Sequence, residues 1–183
     1  MATITQNIRI SKARVMDEVK KTTAYIGSKA VSAQDPGAYE RVATTDANRE
    51  QLDRYWMEAC SSAGILLDHW MVNQSSQMLS HHPEIGRAND YNVTLRMPTN
   101  WESQYAGILE EKIMSYLVNS IVSQWLLVAF PAQAATYAGL AGITERQISQ
   151  LMLVRKRPAK RSPNTNSDGL WHRADIWVRS ELW

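Results

Sequence analysis

The residues of this chain that could do chemistry are few and scattered. His81 and His82 are adjacent with Glu84 close by, the beginning of a metal site. Such a site needs further ligands, and His69 and His172 stand at no recognisable spacing from the pair, so the two read as loop histidines. Cys60 is the one cysteine, which excludes an internal disulfide and any zinc site built on several cysteines. It falls on the apolar side of a helical pattern with no base at a diagnostic spacing, and so reads as a small core residue. Glu110 and Glu111, with Glu102 upstream, are neighbours on a helix and point apart, which describes a solvated face rather than an acid–base pair. No phosphate-binding loop, dinucleotide fingerprint or nucleophile elbow occurs. The expectation is a protein without a catalytic centre, metal or cofactor.

Two other constellations are stronger. "RKRPAKR" gathers Arg155, Lys156, Arg157, Lys160 and Arg161. Five cations can neutralise phosphates in a salt-dependent way, meet an acidic protein surface, or simply favour a helix C-terminus and solvate a linker. The cluster lacks interleaved aromatics, so sequence-specific reading of DNA is not expected.

The second constellation is the ending "LWHRADIWVRSELW", where Trp171, Trp177 and Trp183 are three of the chain's seven tryptophans. Six residues advance about 600° around a helix, which would point the three rings in three directions. On a strand an even spacing puts all three on one face and Leu170, Ile176 and Leu182 on the other. Burying three Trp side chains, roughly 150–250 Å² each, is worth on the order of 11–19 kcal/mol as an upper bound. Left wet they promote aggregation, so the tail is expected to dock on a surface. Its own body is one candidate; the polar stretch before it favours a neighbouring subunit or partner, with addition to a sheet edge as one mode.

The elements that must hold these residues come from periodicity. The chain has 183 residues, 44% hydrophobic, 21% charged, and a formal net charge of +2, values of an ordinary globular domain and too weakly basic to imply nucleic acid by themselves. The first ten residues have neither a basic region nor the apolar run of a signal peptide. Ile8 and Ile10 alternate as in a short strand. Ser11 then caps a helix carrying Val15, Val19, Thr22 and Ile26 and ending at Gly27, and Asp35-Pro36-Gly37 makes a turn. Leu52, Tyr55, Trp56, Ala59, Cys60, Ala63, Leu66, Leu67 and Trp70 form the clearest helical stripe, with Asp46 as its cap. Tyr91, Val93, Leu95 and Met97 alternate as a strand closed by Pro98, whose partner is the first segment, the loop before Pro83, or another subunit. A third helix runs from about Asn100 to Phe130. A last one starts at Pro131 or restarts at Thr144, where Thr144-Glu145-Arg146-Gln147 matches a capping box and Gly139 and Gly142 weaken continuity.

Residues 113–144 contain no charge. The length approaches a membrane span, but Ser115, Asn119, Ser120, Ser123 and Gln124 recur at helical spacing, so a core helix with a polar seam facing a neighbouring helix or subunit is the better reading. The fold class is therefore mainly α: a bundle of about four helices with a small β element and an extended C-terminal arm. Residues 1–157 form the body, 158–169 a basic and polar linker, and 170–183 the docking arm.

The segments "TTAYIG", "AYERVATTDANREQLDRYWMEA", "YLVNSIVSQWLL" and "QLMLVRKRP", followed by the basic end and extended tail, resemble the head–tail connector, or adaptor, proteins of tailed bacteriophages. The resemblance covers roughly residues 10–160 and rests on packing motifs. It implies a helical body assembled into a ring, commonly dodecameric, below the portal, with a C-terminal arm that reaches into the portal and a lumen through which DNA passes. It further implies a non-enzymatic virion protein, assembled in the host cytoplasm, whose partners are its own copies, the portal and other neck or tail proteins, with no membrane. On this reading Leu170, Trp171, Ile176, Trp177, Leu182 and Trp183 bind the partner, and Arg155, Lys156, Arg157, Lys160 and Arg161 are candidates for contact with DNA or an acidic partner. A stopper or tail-completion protein of the same neck, or a nucleic-acid-binding accessory module using the basic cluster, are the alternatives.

Overall fold

The computed structural model describes residues 3–31, 35–72 and 90–156. Within them the chain forms β1 (Thr3–Ile10), α1 (Lys12–Ala30), the short α2 (Ala38–Val42), α3 (Arg49–Leu67), β2 (Tyr91–Pro98), α4 (Ala106–Ala129) and α5 (Pro131–Leu153). The four long helices and one two-stranded antiparallel sheet match the fold class expected from the sequence.

The sheet answers the question of which segment pairs with residues 91–98. β1 lies antiparallel to β2 with Ile4 opposite Met97, Gln6 opposite Leu95, Ile8 opposite Val93 and Ile10 opposite Tyr91. This register puts the alternating apolar residues of both strands on one side, and Ile8, Ile10, Tyr91, Val93, Leu95 and Met97 are all buried there. On the solvent side Thr94 Oγ1 donates to Asn7 Oδ1 at 2.9 Å. The other edge of β2 is partly covered by Met71 and Val72: the Val72 N–H donates to the Thr94 carbonyl at 3.0 Å, and Met71 bridges Leu95.

α4 is the central helix. It packs on α1, α3, α5 and β1, and Leu109, Ile113, Leu117, Ile121, Val122 and Leu126 are buried along its length. The α3 stripe behaves as its periodicity implies: Leu52, Trp56, Ala59, Ala63 and Leu67 are buried, while Tyr55, Cys60, Leu66 and Trp70 are half-buried against the same core. At Phe130 the backbone turns extended, and Pro131 then opens α5, which folds back on α4 as a helical hairpin. Among the described residues no helix is long and apolar enough to cross a membrane.

Local signals are overridden at six points. α1 does not stop at Gly27 but runs on to Ala30; Gly27 is buried where the Tyr39 backbone approaches so closely that a Cβ would lie 3.2 Å from its carbonyl oxygen. Thr23, rather than Thr22, completes the buried stripe, because its hydroxyl shares a hydrogen bond of 3.0 Å with Thr44 across to the next segment. Ser11 makes no side-chain cap; Asp90 Oδ1 accepts the Lys12 N–H at 3.1 Å instead. Asp46 does not cap α3 directly: residues 46–48 form a 3-10 turn closed by Thr45 and Asn48, and the Asp46 carboxylate pairs with Lys20 at 2.6 Å. α5 does not restart at Thr144, which is buried mid-helix with Oγ1 donating to the Leu140 carbonyl at 2.8 Å. The third helix likewise begins later than Asn100, after buried Trp101 and a 3-10 turn at Ser103–Tyr105.

Candidate interaction surface

Among the described residues no three His, Cys, Asp or Glu side chains gather as a metal would require. The Cys60 thiol is pushed up by burial, which disfavours the thiolate a nucleophile needs. Burial also raises the neighbouring Tyr91 hydroxyl, which is buried without a hydrogen-bond partner among the described residues. On α4, Glu110 is half-buried and Glu111 exposed. His81, His82, Glu84 and His172 lie outside the described residues.

The polar seam of α4 is largely closed within the fold. Ser115 Oγ donates to the Glu111 carbonyl at 2.9 Å and Ser123 Oγ to the Ser120 carbonyl at 2.8 Å. The seam residues are half-buried, and the Gln124 side-chain oxygen is buried without a partner among the described residues.

Exposed large hydrophobic residues occur on several elements, including Tyr25 and Ile65, and four of them belong to the hairpin of α4 and α5, from the end of α4 to the middle of α5. Leu127 is 64% exposed, Val128 80%, Leu140 41% and Ile143 50%. Around the α5 axis Ala132, Thr136, Gly139, Leu140 and Ile143 fall within about 100° of one another, on the side away from buried Ala134, Ala141 and Ile148. None of the exposed residues between 127 and 144 carries a charge. On the inner side the tip is fixed to the body: Trp125 Nε1 donates to the Val42 carbonyl at 2.7 Å. Both helices of the hairpin thus expose large aliphatic groups, with no charge among the exposed residues between 127 and 144.

Of the basic cluster, only Arg155 and Lys156 are within the described residues; Arg157, Lys160 and Arg161 are outside them. Arg155 is spent inside the molecule. Its Nη1 donates to the Met152 and Val154 carbonyls at 3.0 Å each, closing the end of α5, and the guanidinium lies 5.9 Å from the Trp70 ring centre. Lys156 keeps an exposed side chain while its N–H donates to the Asn100 carbonyl at 2.7 Å. Leu170, Trp171, Ile176, Trp177, Leu182 and Trp183 all lie outside the described residues, as does the linker 158–169.

The terminal tryptophans stand out in the sequence, whereas Trp101 and Trp125 carry no pattern that marks their roles. Trp101 is fully buried, and its Nε1 donates to the Leu151 carbonyl at 3.0 Å, tying the end of α5 to the end of β2. Neither role leaves a local signal, because each bond spans dozens of residues. The exposed hairpin face had a signal, the charge-free run of residues 113–144, but periodicity alone does not say which part of it lies outside. No family model, curated protein or solved structure matches the chain.

Proposed function

We propose that this chain is a structural virion protein of a tailed bacteriophage, a head–tail connector whose helical body assembles into a ring below the portal and is fastened to a neighbour by residues 170–183. The observation that carries the assembly is the exposed, charge-free face of the α4–α5 hairpin, with Leu127, Val128, Leu140 and Ile143 in solvent. The resemblance to connector proteins supplies the kind of assembly.

A second copy of the chain is the occupant that fits this face best. A charged partner surface would lose hydration against it with no compensating ion pair, whereas another uncharged aliphatic face loses little. The body around Leu127 is pinned by Trp125, so binding costs little ordering. The salt-dependent DNA reading has less to stand on, because Arg155 donates to two carbonyls of its own helix end.

Mass determination by sedimentation, alone and with the portal protein of the same particle, tests the proposal. The expected result is an oligomer in at least one condition and, for Ile143→Glu, a folded chain whose association is weakened in both. A strict monomer of the unaltered protein under both conditions overturns it.

A further inference from the structure

The two edges of the sheet are not equivalent. The Thr94 carbonyl accepts the Val72 N–H and therefore points away from β1. In an antiparallel ladder, bonded and non-bonded pairs alternate, so Thr3, Thr5, Asn7 and Arg9 are the β1 residues whose N–H and C=O groups point outward. Pro98, opposite Thr3, falls at a non-bonded position where its missing N–H is harmless. Among the described residues no other strand pairs with this outer edge, and of its outward groups the Asn7 carbonyl accepts only the Gln6 side-chain amide at 3.3 Å. The apolar layer is also incomplete on that side: Ile4 and Gln6 are only half-buried, while Leu95 and Met97 across from them are fully buried. An open edge beside an unfinished apolar layer is a template for one more strand.

We propose that residues 170–183 of a neighbouring copy dock as an extended strand on the outer edge of β1. This rests on the reading of the protein as a self-assembling ring, and gives its arm a neighbouring copy where the resemblance implies the portal. The arm has the two faces such a strand needs. Its even positions include Leu170, Ala174, Ile176, Val178 and Leu182 and carry no Asp, Glu, Lys or Arg, which suits continuation of the layer of Ile4, Ile8 and Ile10. Its odd positions alternate the three tryptophans with Arg173, Asp175, Arg179 and Glu181, so the rings would lie across the side chains of Thr3, Thr5, Asn7 and Arg9 on the outer face of the sheet and be covered by them on one side.

The connection favours a neighbour. The body ends at Lys156, bonded to Asn100, beside the end of the sheet where Thr3 meets Pro98. Thirteen residues, 157–169, then precede the arm. Extended, they reach roughly 43–47 Å, where local returns between neighbouring elements use about 2–6 residues.

The test uses the full chain in two differently tagged pools, both carrying Cys60→Ala. One pool carries Thr5→Cys and the other Arg173→Cys or Arg179→Cys, positions on the solvent side of the paired strands. Mixing under mild oxidation should give disulfides between the pools at least about tenfold above a Glu40→Cys control, since partners in register bring Cβ atoms within bonding reach. Thr5→Pro, which removes an outward N–H without touching the ladder to β2, should leave the fold intact and abolish protection of the arm from proteolysis in the assembled protein. Sedimentation of the same samples separates two failures. Assembly without cross-links between pools overturns the arm site and leaves the connector reading standing; a monomer throughout overturns both. A cross-link confined to one chain in the Thr5→Cys, Arg179→Cys double variant means that the arm folds onto its own sheet, and overturns the exchange.

Discussion

Asp90 shows how much one side chain arranges. Its carboxylate accepts the Lys12 N–H at the first turn of α1 and the Arg9 guanidinium at the end of β1, so it joins the strand, the helix start and the entry to β2. The backbone N–H of Lys12, with Arg9 second, holds its pKa below the ordinary carboxylate value of 3.8. For a depressed carboxylate the stabilisation is complete above the ordinary value and is lost as pH falls through the lowered one. Asp90→Asn is therefore expected to lower the unfolding temperature at neutral pH. The gap to the unaltered protein should narrow as pH drops below 3.8, since protonated Asp90 then resembles the amide. Thermal melts from pH 7 to pH 2 check this, and a gap that widens in acid sinks it. Asp46, lowered by Lys20, contributes with the same sign at a separate place, so Asp90→Asn should flatten the acid limb only in part. Ser11 was legible as a helix boundary, but the group that satisfies Lys12 lies 78 positions further on, and no local pattern could point to it.

At the scale of elements, what was legible is what period alone decides. The stripe through Leu52, Trp56 and Ala59 and the alternation at residues 91–97 survive because burial on one face is their whole cause. Glycines and caps are not decided by local sequence, because their meaning depends on what packs nearby. Gly27 and Gly139 both sit inside helices, yet a Cβ at Gly139 meets nothing within 4 Å while one at Gly27 meets the Tyr39 backbone at 3.2 and 3.3 Å. Gly139→Ala should raise the unfolding free energy by about 0.5–1 kcal/mol, the helix-propensity gain. At Gly27 the same gain is opposed by backbone that cannot rotate away, and α2 must shift from α1, so Gly27→Ala should lower stability. Denaturant titration of both variants decides it; equal shifts would mean that the α1–α2 contact is loose. The continuous α5 has the same physics: packing of Ala134, Ala141 and Ile148 on α4 outweighs two exposed or half-exposed glycines and the capping-box pattern at Thr144.

At the scale of the whole molecule, the question is whether the body is complete without its tail. Among the described residues Met152 is the last buried one, Trp101 Nε1 donates to the Leu151 carbonyl, and the Lys156 N–H donates to the Asn100 carbonyl. Three tryptophans docked on that same core would contribute several kcal/mol that truncation must remove. Docked on a neighbour, they would contribute to assembly and not to the folding of one chain. Truncation after Arg161 is accordingly expected to keep the helical circular dichroism signal and to change the monomer's unfolding free energy by less than about 1 kcal/mol. The same truncation should weaken association at least about tenfold, leaving the hairpin face of Leu140 and Ile143 as the remaining contact. A truncated chain that unfolds places the tryptophans in its own core; one that assembles as tightly as the full chain removes the arm from the assembly. Ile143→Glu acts on the other contact, so combining it with truncation should abolish association altogether, with the two effects adding because the hairpin tip and the β1 edge share no bonding partner among the described residues.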